Sequence, residues 1–559
     1  MASPNSLIVV LCSLLCGLSL MPLATVAEST NDPPAGSGRD YYDLGGFHRR
    51  VTANSEFAQT WFDRGLAMCH AFNHEEAVRC FELAYAADPG MPMALWGMAY
   101  AWGPNINNMQ VSSERMARAY TAIQLAQLQA SRATQLERDL IGALGRRYAV
   151  PVPEDRDSLN KAYADAMREV QGKYPDEPLV AATFAESLMN LRPWGYWSKE
   201  GEAASETAEI VETLESGLSR WPTDPALCHF YIHAIEASPH PEKALPAANR
   251  LRDAMPGAGH LVHMPSHIDV LVGDYQNVIR ANQLAIKADT VTAEREGVDN
   301  FYTYYRIHNY HFLAYGAMFD GQRELALKAA RELVDEIPQT MLREQADFLD
   351  AFVPTPLHVL VRFGDWEQIL AEPEPPEYLP VARSIRHYAR AIALAALGRV
   401  DDAEAEQDAF EEASEAVPET SFLFNNSCLD ILGVAEKMVA GEIAYRRDEI
   451  DEAFAFLREA VQRDDELHYD EPWGWMQPAR HALGALLLEQ NQFAAAEAVY
   501  RADLQRHPNN PWALHGLAEC LDRQSRAEEA ALVQREFESA TARADVRIDR
   551  SCFCRLGDG

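Results

Sequence analysis

The sequence predicts an all-α protein of helical hairpins stacked into a right-handed superhelix with a concave groove. Three observations predict it. Ala, Leu and Glu abound, and apolar residues recur at helical spacing. Pro or Gly punctuates the pattern about every 15 to 20 residues, as short helices joined by turns require. A pattern of small and aromatic residues returns with a period of about 34 residues, while long Val/Ile alternations suited to strands are absent.

The chain opens on an apolar run from Leu7 to Leu23, followed by small residues at Ala24, Thr25, Val26 and Ala27. Residues 1–27 therefore read as an export signal, although no Lys or Arg precedes Arg39. A retained membrane anchor and lipidation at Cys16 are the alternatives; Leu15 is bulky for a lipidation site. The expected location is periplasmic or extracellular. Residues 28–45 read as a flexible polar linker, 46–545 as the repeat array and 546–559 as a tail. Within the array, 46–224 are N-terminal repeats, 225–345 histidine-rich central repeats and 346–545 C-terminal repeats.

The repeat is clearest from Ala58 to Met91. Trp61, Gly65, Ala77, Phe81, Ala84 and Pro89 stand at positions 4, 8, 20, 24, 27 and 32 of that stretch. Small residues at 8, 20 and 27 let two helices approach, the aromatic at 24 fills the gap, and proline ends the second helix. This resembles the tetratricopeptide repeat at every signature position. The register recurs at Gly484, Ala496, Tyr500 and Pro508, at Gly441, Ala453 and Ala460, and at Ala244, Ala248 and Pro256. Degenerate copies start at Gly259, Ile307 and Ser384.

Composition narrows the partners. A net charge of −35 repels phosphate backbones and anionic lipid headgroups, so nucleic acid is excluded as a partner, and membrane beyond the N-terminal anchor with it. Cations and metal ions suit this balance; so does solubility alone. The nine cysteines are too scattered for a disulfide scaffold. Cys552 and Cys554, in SCFC, read as a bridge, a metal pair or an undecorated tail.

Chemistry is signalled by histidine. Eight of the 17 fall between Cys228 and Phe312. CHFYIHAIE holds His229, His233 and Glu236; GHLVHMPSH holds His260, His263 and His267; RIHNYHF holds His308 and His311. In tetratricopeptide proteins positions 2, 5, 9 and 12 of the first helix line the groove, and the resemblance puts all eight residues on such positions in three successive repeats. Residues three or four apart share a helix face, and neighbouring first helices stack about 10 Å apart. One such histidine alone is most simply structural; the cluster reads as a site for one or two ions of zinc, copper or iron, with nickel also compatible. Its nitrogen-rich donors disfavour calcium and magnesium.

Pro265 interrupts this register, because proline is comfortable only in a helix's first turn. A helix starting at Pro265 would leave His260 and His263 on a loop. Weaker candidates are His74, read as a turn residue; WGPNINN, a candidate binding loop; RPWGYW, a pocket wall or packed junction; and Glu186. His358, His481 and His515 reach groove positions singly and read as groove polar residues. No hydrolase, phosphate-loop or dinucleotide motif is present, so catalysis stays open.

FNHEEAVRCF, WGPNINN and GHLVHMPSHI together resemble an exported microbial tetratricopeptide family in which such histidine-bearing segments recur. The resemblance implies the fold and the segments and carries no reaction. The reading is an exported repeat protein, a metal carrier or metalloenzyme, with metal held by the histidine cluster. The alternative is a non-enzymatic scaffold that binds a peptide or partner protein in its groove.

Overall fold

The computed structural model describes residues 41–556, and the unit described below begins at Asp43. The export segment predicted at 1–27 lies outside the described residues.

Helical hairpins follow one another along the chain. Glu56–His70 packs on His74–Ala87, Pro380–Ala396 on Val400–Glu415, Cys428–Arg446 on Ile450–Glu466, and Pro511–Arg523 on Ala527–Ala540. Among the described residues the paired strands are Phe422–Leu423 and Asn426–Ser427, which form one antiparallel pair.

The repeat register has a steric basis. Phe81 lies between Gly65 of its own hairpin and Gly97 of the next. A Cβ would stand 2.7 Å from the ring at Gly65 and 2.5 Å at Gly97, inside any real contact. Tyr500 sits the same way between Gly484 and Gly516. An aromatic wedge thus replaces two side chains and welds one hairpin to the next; burying a ring of this size contributes on the order of 2–3 kcal/mol.

Helix starts follow local chemistry. Asp224 caps Pro225–Ile235 by accepting the Leu227 N–H at 3.0 Å, with proline in the first turn where no donor is needed. Ser55 and Asn73 cap the first hairpin's helices in the same way.

The proline interruption resolves differently from the loop expected for His260 and His263. Pro265 does begin a helix, Pro265–Leu271, but Gly259–His263 is helical too. Met264 between them keeps helical angles, φ −49° and ψ −38°, so the axis breaks with little change of face.

The chain's C-terminal part packs back onto its middle. Trp512 Nε1 donates to the Met318 carbonyl at 3.1 Å, Tyr275 Oη to the Pro508 carbonyl at 3.1 Å, and Arg543 pairs with Asp320 at 2.5 Å. In the tail, Ile548, Ser551 and Cys554 are buried, Ser551 Oγ donates to the His481 carbonyl, and Cys552 is disulfide-bonded to Cys554. No helix among the described residues is long and apolar enough to cross a membrane.

Candidate metal centre

Three helical segments deliver the histidines: Pro225–Ile235, the broken pair Gly259–His263 and Pro265–Leu271, and Tyr302–Phe319. The first segment is buried along its whole length. The second fits because residue 259 is glycine: a Cβ there would stand 1.8 Å from Asp289 Oδ1. Asp289 itself accepts from Tyr302 Oη at 3.0 Å and Asn309 Nδ2 at 2.6 Å, which ties the second and third segments together. Tyr302 Oη also accepts the His260 N–H at 3.2 Å.

Six histidines converge as two triads. His229, His233 and His260 form one and His263, His267 and His308 the other, while His233, Glu236 and His267 make a third group bridging them; within each, ligand atoms lie within 4.8 Å of one another. His229 Nε2 faces His260 Nε2 at 3.1 Å, and His263 Nε2 faces His267 Nε2 at 2.7 Å.

The opposite edges of three of these four rings are committed, and His260 Nδ1 is buried with no hydrogen-bond partner. His229 Nδ1 lies 2.8 Å from the His70 carbonyl, so it carries the proton and its Nε2 is a lone pair. His263 Nδ1 lies 2.6 Å from Asn282 Oδ1, and that amide is oriented by its own donation to the Val278 carbonyl and Ser266 Oγ. Glu236 spans the triads: Oε1 lies 2.7 Å from His233 Nδ1 and Oε2 2.7 Å from His267 Nδ1. Glu471 Oε2 adds a second contact to His267 Nδ1 at 3.1 Å. Glu236 can therefore orient two ligand candidates through their outer nitrogens or, with His233 and His267, hold an ion itself.

Burial sets the charge states. It pushes His233 down to about 3 and His263 to about 4, and drives His229, His260, His267 and His308 well below the ordinary histidine value. The rings are neutral at pH 7, the form that ligates metal. The same burial drives the Glu236 and Glu471 carboxyls well above the usual range. Left alone, the two carboxyls therefore favour the neutral acid, and a cation beside them would offset the desolvation of their ionised forms.

Two facing lone pairs at hydrogen-bond distance repel unless something positive lies between them. A proton serves the 3.1 Å pair from His260, whose Nδ1 is unengaged, and the 2.7 Å pair if His267 Nδ1 accepts from a protonated Glu236 or Glu471. A metal ion requires no such exchange. Bonds of about 2.0–2.1 Å at a tetrahedral angle hold two nitrogens about 3.3 Å apart, within about 0.6 Å of both observed pairs. His233 Nε2 adds a buried nitrogen with no protein hydrogen-bond partner. The donor set fits a transition metal.

The eighth predicted residue lies apart. His311 packs edge-on against Phe352 at 5.2 Å and lines a cavity of about 20 Å³ with Thr355, His358, Cys428 and Met476, outside both triads. His481 bonds Asp503 and Arg362, a structural role. His74 holds a turn through the Phe72 carbonyl, and Glu186 is buried beside Asn190.

Aromatic side chains cover the histidine cluster. Phe72, at φ 57° in the turn Ala71–Asn73, stacks over His260 at 5.0 Å and packs on His229 at 4.6 Å. Trp194 packs edge-on to His233 and donates to the Ile106 carbonyl, so RPWGYW and WGPNINN form part of the lid. Tyr305 lies 4.7 Å from His260 and Phe424 5.2 Å from His308. Sequence reasoning missed Phe72, Tyr305, Phe424, Asn282 and Glu471; the first residue of the FNHEEA segment was the one available signal.

Residues 487–533 match the tetratricopeptide repeat family. No curated protein matches the chain. Among solved structures, a human IFIT1 dimer with m7Gppp-AAAA is similar at 11% identity and TM-score 0.31, covering 88% of this chain and 92% of that one. Yeast Tom70 is similar at 11% identity and TM-score 0.28, covering 86% and 90%.

Proposed function

We propose that this protein binds one or two transition-metal ions through the buried histidine cluster, as a carrier or a metalloenzyme. One observation carries the reading: two Nε2–Nε2 pairs face each other across 2.7 and 3.1 Å, with His229, His263 and His267 each held at Nδ1 by an acceptor. The ligands in this reading are His229, His233, His260, His263, His267 and His308. Glu236 orients two of them, and His311 lies outside the set. Neutral imidazoles with outer carboxylates suit zinc, copper or iron. Such an ion supplies a Lewis acid or, for copper and iron, an electron carrier. Export by residues 1–27 would put the protein in the periplasm or outside the cell, where it meets these ions directly.

Burial of the histidine face weighs against a peptide lying along it. The test is metal content after purification without a tag, in the natural chain and in His233→Ala/His263→Ala. The reading expects bound metal in the first and none in the second, with helix content by circular dichroism equal in both. Metal retained undiminished by the double variant contradicts it.

A further inference from the structure

The two triads share one plan. Each takes two histidines one turn apart on one segment and a third from the next segment: His229 and His233 with His260, then His263 and His267 with His308. The repeat has copied an arrangement along its axis, each copy with three neutral nitrogens. Three protein ligands leave a tetrahedral ion an open position, as catalytic sites do and closed structural sites do not.

The copies are also coupled. Glu236 holds one ring of each triad, His233 through Oε1 and His267 through Oε2, and those rings lie 5.6 Å apart. His260 and His263 are as close, at 6.0 Å. Access is narrow: five of the six histidines are buried and His308 alone is partly exposed.

Resting on the metal reading above, we propose that the cluster is a two-ion centre, one ion per triad, which takes a small anion of one to three heavy atoms on the side where the triads meet. Two divalent ions on six neutral rings, with only Glu236 and Glu471 as counter-charges at the outer nitrogens, keep a net positive charge, so an anion is a charge-matched occupant. Phe72, Trp194 and Tyr305 pack directly on rings of the first triad, so the occupant is small.

The test is a cobalt(II) titration of the metal-free full chain, followed by visible absorption and checked by plasma mass spectrometry. The natural chain should bind two equivalents, and His229→Ala and His308→Ala one each. Azide should then shift the visible bands of the two-cobalt form. A single equivalent in the natural chain, lost from both variants, overturns the two-ion centre and leaves the metal reading standing. Two equivalents with bands indifferent to azide overturn the anion site. No cobalt in the natural chain overturns the metal reading itself. If either variant fails to fold by circular dichroism, the stoichiometry of the natural chain decides.

Discussion

His263 and His267, one turn apart, face each other through Nε2 at 2.7 Å while Asn282 and Glu236 hold their outer nitrogens. A metal ion between them accounts for this with both outer nitrogens left as donors. A buried histidine normally points one nitrogen at a donor and the other at an acceptor, whereas here two inward nitrogens meet. In the proposed metal reading both rings are ligands, positioned by Asn282 and Glu236.

Glu236 should therefore tune affinity without being a ligand. Glu236→Gln keeps the shape, loses the charge and presents an amide N–H to one of the two rings. The expected result is weaker metal binding by about 10–100-fold with the fold intact. Competition against a calibrated chelator measures it, and an unchanged affinity would remove Glu236 from the account.

Acid should release metal late. Burial lowers His233 to about 3 and His263 to about 4, so both rings stay neutral as pH falls through about 6.5, where exposed histidines protonate. Metal should survive dialysis at pH 5.5 and leave near pH 4. The linkage in the metal-free chain has a matching sign. The unfolded chain takes up these protons near 6.5 and the folded one does not, so each ring destabilises the fold by on the order of 1.4 kcal/mol per pH unit between 6.5 and its folded value. Metal lost already at pH 6 would mean the rings are open to solvent.

Gly259→Ala should disturb the site from behind. The new methyl meets the Asp289 carboxylate, which is held by Tyr302 and Asn309. Overpacking of this kind costs about 1–3 kcal/mol, so a lower urea midpoint and weaker metal retention are expected. An unaffected midpoint would mean that Gly259–His263 can shift freely.

Phe72→Ala removes the ring over His229 and His260. A loss of about 3–5 kcal/mol is expected, together with faster exchange of bound metal. Metal exchange at the unaltered rate, followed with an isotope of the bound ion, would show that the lid does not guard the centre.

The fold was legible because the repeat writes its packing into fixed intervals. Gly65 and Phe81, or Gly484 and Tyr500, are small and large partners 16 residues apart, and the structure seats each aromatic against its glycine. The histidines were legible for a related reason: a spacing of four residues puts His229 with His233 and His263 with His267 on one face. His311 shows where this stops. It is three residues beyond His308, yet the small rotation turns its ring toward Phe352 and His358. Glu471 and Phe424 reach the cluster from more than 100 residues beyond His308, and no local periodicity records a contact of that kind. The covered face was illegible for the same reason.

Plasma mass spectrometry on the untagged, purified protein tests the central claim most directly. The account predicts zinc, copper or iron in a whole-number ratio of one or two per chain. A chain that carries none, and takes up none when dialysed against these ions, would contradict it.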